Sequence, residues 1–150
     1  MGYRAYAILI ALVTLAQASL PPRPALAADY SAVYAPTPVR PVAVGQTFTV
    51  PVRVTNTGTL TWSQSGRCAP VLGYHWYQGQ TRVAFDAEGT PLPAPVAPGQ
   101  SVELVATVVA PDIPGRYTLM WDMRALCEWF TKMGAAAGSQ AIDVVPARLR

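Results

Sequence analysis

The chain has 150 residues, 51% of them hydrophobic, with 11 basic against 8 acidic side chains. That length makes one domain and hardly two. The arginines are scattered and Lys132 is the only lysine, so the dense basic surface that nucleic-acid binding needs is missing.

Residues 1–27 have the layout of a secretory signal peptide. Arg4 supplies the early positive charge, and an apolar run extends from about Tyr6 to Ala16. Gln17, Ser19, Pro21, Pro22 and Pro24 follow, and Ala25 and Ala27 are small at the two positions a signal peptidase reads. Cleavage is expected after Ala27. The alternative is an uncleaved anchor, but the run is short of the ~20 residues that span a bilayer. With Arg4 and Arg23 removed, nine basic side chains face eight acidic ones.

Export would expose Cys68 and Cys127 to an oxidising compartment, where an even count suggests a bridge; free thiols are the alternative. Zinc would need His75 and a carboxylate as well. A bridge closing a loop of 59 residues would stabilise the fold by roughly 4 kcal/mol.

Residues 28–45 read as an extended, proline-rich lead-in with an edge strand around Val39–Val44. Prolines 36, 38 and 41 would block interior ladder bonds and so belong on an edge. The stretch "QTFTVPVRVTN" alternates cleanly, with Phe48, Val50, Val52 and Val54 on one face, which predicts a half-buried strand. "NTGT" is a turn. "VLGYHWYQ" is a second strand with Leu72, Tyr74 and Trp76 in register, and "RVAFD" returns from it as a short hairpin. "SVELVATVVA" alternates again. "RYTLMWDMRA" puts Tyr117, Leu119, Trp121 and Met123 on one face. "EWFTKMGAAAG" holds a short strand and a loop, "SQAIDVV" closes the domain, and residues 147–150 are a polar tail.

About seven strands, with turn signals every ten residues or so, predict an all-β, immunoglobulin-like antiparallel sandwich over residues 46–146. Asp112, Gly115 and Tyr117 fit the corner where a tyrosine hydroxyl caps the chain before the penultimate strand. Position 119, where antibody domains place their second bridging cysteine, is Leu. A Cys68–Cys127 bridge would therefore staple loops at one end of the sandwich.

The stretches "NTGTLTW", "VAPGQSVELVATVVAP", "PGRYTLMWDM" and "WF", in that order, resemble the immunoglobulin-like four-tryptophan domain first known from selective-autophagy receptors. Trp62 and Trp121 sit where two of that family's tryptophans sit, whereas Trp76 and Trp129 lie elsewhere. "LGYHWY", "VAFDAEGTPLP" and "WDM…EWF" look closer to a bacterial variant found beside glycosyltransferases and other polysaccharide-handling proteins. The resemblance covers roughly Gln46 to Val145. It implies a recognition module on the outside of a bacterial cell.

Among the aromatics, Trp76 and Trp121 fall at inward positions and are expected in the core with Tyr117. Trp62 follows a turn and is expected half-buried, capping one end. Trp129 and Phe130 are adjacent on a strand, so one of them tends outward. With His75 and Tyr77 they could form an aromatic platform on which sugar rings stack. His75 has no partner motif around a serine, and no nucleophile, base and metal set is visible, so no catalytic activity and no cofactor are expected. Asp86 and Glu88 could make a carboxylate pair, with too few oxygens in view for calcium. The expected function is a secreted binding module for envelope or extracellular polysaccharide. The alternative is a protein-interaction or structural module pairing through sheet edges or the loop end.

Overall fold

A computed structural model describes residues 29–83 and 89–148. In chain order its strands are β1 (Ala32–Pro36), β2 (Val42–Ala43), β3 (Thr47–Asn56), β4 (Val71–Gln78), β5 (Thr81–Arg82), β6 (Thr90–Pro91), β7 (Ser101–Val109), β8 (Gly115–Ala125), β9 (Glu128–Trp129) and β10 (Gly138–Val145). Two sheets face each other. Sheet one runs β1-β3-β7; sheet two runs β2-β10-β8-β4-β5, with β6 also on β4 and β9 on β8. All pairings are antiparallel except β10 with β2. The protein is an all-β, immunoglobulin-like sandwich.

The lead-in differs from the single edge strand expected around Val39–Val44. Ala32–Pro36 joins sheet one beside β3, and Val42–Ala43 joins sheet two beside β10. Pro38 and Pro41 fall in the crossover, where no ladder needs an N–H. Both short strands are sheet edges, the places where proline does least harm.

The core follows from period two. Val50 and Val52 on β3 pair with Ala106 and Leu104 on β7, and buried Val54 and Val108 extend the same inward face of sheet one. Against them sheet two sets Leu72, Tyr74 and Trp76 of β4 and Tyr117, Leu119, Trp121 and Met123 of β8, all buried. Each fully buried aliphatic side chain contributes about 1.5–3 kcal/mol of transfer free energy. The Tyr117 hydroxyl donates to the Ile113 carbonyl at 2.8 Å, closing the corner before β8. At the other end Asn56 is wholly buried; its amide donates to the carbonyls of Leu60 and Val96, both at 2.9 Å. That satisfied side chain holds the β3–β4 connection against the loop that leads into β7.

Cys68 and Cys127 are bridged, with Cα atoms 5.0 Å apart. The bridge joins the β3–β4 connection to the β8–β9 turn. That turn is a two-residue hairpin loop, Leu126–Cys127, closed by the pair Ala125 and Glu128. Both loop residues have positive φ, 54° and 63°, as a type I′ turn requires.

Candidate functional site

The outer face of sheet two carries the residues first considered for ligand contact. Trp129 and Phe130 do point to opposite sides. Phe130 is the inward one, wholly buried, with its ring 5.6 Å from Trp62 and 5.5 Å from Tyr30. The hydrogen bond from Phe130 N to Met123 O, at 2.8 Å, turns it under the sheet. His75 is also buried, 3% exposed. The expected four-residue platform is therefore corrected: Phe130 packs the core and His75 lies beneath Trp129, leaving only half-buried Trp129 and Tyr77 at the surface.

Gly73 explains why His75 is covered. The far edge of the Trp129 indole lies where a Cβ on residue 73 would be, 2.6 Å from it. The indole thus beds on bare backbone and meets the His75 ring edge-on, centroids 4.5 Å apart. The Arg124 guanidinium lies over the same indole, 5.3 Å from its centroid, a favourable cation–π arrangement. Below, wholly buried Asp122 accepts hydrogen bonds from Thr131 Oγ1 at 2.5 Å and Thr131 N at 3.3 Å. His75 Nε2 is 3.6 Å from Asp122 Oδ2. This polar cluster fastens the β8–β10 connection onto the sheet.

Trp62 was expected half-buried and is fully buried. It bridges through its backbone to Val96 and is covered by Phe130, whose inward turn the sequence pattern did not show. Trp76, Trp121 and Tyr117 lie in the core. Asp86 and Glu88 lie outside the described residues. Among the described residues, no group of three or more His, Cys, Asp or Glu could hold a metal ion, and no helix is long and apolar enough to cross a membrane.

The open surface lies elsewhere, at the side of β7 that pairs with no strand among the described residues. Two core aromatics of sheet two reach across to its last residue: Tyr74 Oη accepts from Val109 N at 3.1 Å, and Trp76 Nε1 donates to Val109 O at 2.9 Å. Beyond them a cavity of about 370 Å³ opens between the β4–β5 hairpin and the β7–β8 turn. Its inner wall is Tyr74, Trp76 and Tyr117. Its rim is apolar and exposed, with Val83 at 41%, Val109 at 48% and Ile113 at 68%. Val105, four residues back along β7, is 61% exposed. Sequence reasoning missed this cavity because its walls count as core when each strand is read alone.

The fold defines an immunoglobulin-like module. The model of the family described as the Ig-like domain from next to BRCA1 gene matches residues 37–133, and the chain belongs to that family. Ig-like domains of this family are typically non-catalytic. No curated protein matches the chain. Among solved structures, the ASH / PapD-like domain of human CEP192 (PapD-like domain 7) is a loose likeness: TM-score 0.36 and 13% identity, covering 94% of this chain and 100% of that one.

Proposed function

We propose that this is an exported, non-catalytic recognition module whose partner is a protein rather than a polysaccharide. One observation carries the choice: exposed Val83, Val109 and Ile113 ring one cavity beside a sheet edge that is unpaired among the described residues, while the large aromatics are taken up by the fold. Sugar binding draws on an open aromatic face, and Trp129 is already engaged by Gly73, His75 and Arg124. Val83, Val109 and Ile113 form an apolar surface of the kind that marks protein interaction sites. The bridge between Cys68 and Cys127 supports export, since such bonds persist in oxidising compartments. The signal-like layout of residues 1–27 supports it too, although that segment lies outside the described residues.

The test is binding of the purified protein to the surface fraction of its source cell, before and after protease or glycosidase treatment. Binding should be lost to protease and survive glycosidase. It should weaken in Ile113→Asp and persist in Trp129→Ala. Binding that survives protease, is lost to glycosidase and falls in Trp129→Ala would replace this reading with glycan recognition.

A further inference from the structure

Among the described residues, no strand pairs with the outer edge of β7. Three hydrogen bonds fix which backbone groups face it. Both main-chain groups of Val109 bond to side chains of sheet two, so they point away from β3. Pro51, opposite Val105 in the register, gives its carbonyl to Thr37 N on the β1 side, at 2.8 Å. In an antiparallel ladder the direction alternates residue by residue. Glu103, Val105 and Thr107 therefore present N–H and C=O to the open side, while Leu104, Ala106 and Val108 bond to β3.

This row of free groups runs straight into the cavity beside Val109. At about 370 Å³ the cavity is at the small end of binding pockets, with room for an apolar side chain or two. Asp112 lines it, is exposed, and has no ion-pair partner among the described residues.

Building on the protein-recognition reading, we propose that β7 accepts an extended segment of a partner protein as an added strand. The segment pairs with Glu103–Thr107, places an apolar side chain in the cavity, and sets a lysine or arginine against Asp112. Main-chain pairing supplies affinity in such complexes, and pockets for particular side chains supply specificity. Charge argues against a second copy of β7 as the occupant: "SVELVATVV" has no cation to offer Asp112.

The experiment pans a displayed library of random heptapeptides against the purified protein, then titrates the enriched peptide into variants. Enriched sequences should alternate strand-forming residues and carry an adjacent apolar–cationic pair. Val105→Pro removes an open-side donor that β3 does not use, a change edge strands tolerate. It should weaken binding about tenfold, and Asp112→Lys should weaken it as well. The same peptide with alternate backbone N-methyl groups should lose affinity for the unaltered protein, a control that does not depend on how Val105→Pro folds. Added peptide should slow amide exchange at Val105 and Thr107. Undiminished binding to Val105→Pro, or unchanged exchange at those amides, would overturn the added-strand proposal and leave protein recognition standing. Failure to enrich any peptide would also overturn it; if the protein then bound a polysaccharide array, the protein-recognition reading would fall too.

Discussion

Trp76 of sheet two donates its indole N–H to the Val109 carbonyl of sheet one, 2.9 Å away. The same tryptophan is 1% exposed and packs edge-on against Tyr117, centroids 6.0 Å apart. A single side chain thus fills the core, ties the sheets together and ends the open part of the β7 edge.

Replacing Trp76 with Ala should cost about 3–5 kcal/mol, as for other buried large aromatics, and leave the Val109 carbonyl without its partner. Trp129→Ala removes a half-buried ring and should cost less, about 1–2 kcal/mol. Urea titration of the two variants checks this. Equal losses would contradict the split between core and surface tryptophans.

Gly73→Ala should drive Trp129 off its seat, because the new methyl would meet the far edge of the indole. That edge can swing outward, so the expected result is a folded protein with a more exposed Trp129. Tryptophan emission should shift to the red and be quenched more readily by iodide. Unchanged emission would mean that the indole does not rest on residue 73.

Reduction of Cys68–Cys127 should destabilise the protein by roughly 4 kcal/mol on the chain-entropy model for a loop of this length. Thermal melts with and without reductant measure it. Intact mass before reduction should show no thiol open to alkylation.

Stability should fall at high pH through Tyr34. Its hydroxyl accepts from Met123 N at 2.9 Å, and burial pushes its pKa above the ordinary 10.0, with buried Asp122 adding to the rise. A raised folded pKa means that the unfolded chain loses this proton first. The stabilisation is therefore complete below the ordinary value and is lost as pH rises above it. Melting temperature should drop between about pH 9 and about pH 11, and less steeply in Tyr34→Phe. An equal slope in both would exclude Tyr34 as the source.

Most of the sandwich was legible because period two survives in β3, β7 and β8, each with one face in the core. On β4 the alternation was misleading. Gly73 and His75 occupy the outward positions, yet both are buried, because Trp129 folds back over them from a distant part of the chain. No local pattern announces that return. Leu126–Cys127 takes a type I′ turn without the usual Asn-Gly, so the β8–β9 hairpin had no turn signature to read. Phe130 and Trp62 were misplaced for the same reason: their burial depends on this hairpin. The cavity beside Val109 was hidden more deeply still, since it exists only where two sheets and two turns meet.

The most direct measurement of the central claim, that β7 presents a free backbone edge beside an apolar cavity, is residue-resolved amide hydrogen exchange on the unliganded protein. The account predicts alternation along β7: fast exchange at Glu103, Val105 and Thr107, slow exchange at Leu104, Ala106 and Val108, and slow exchange again at Val109, whose N–H is held by Tyr74. Uniform protection from Glu103 to Val109 would contradict it, because the edge would then already be paired.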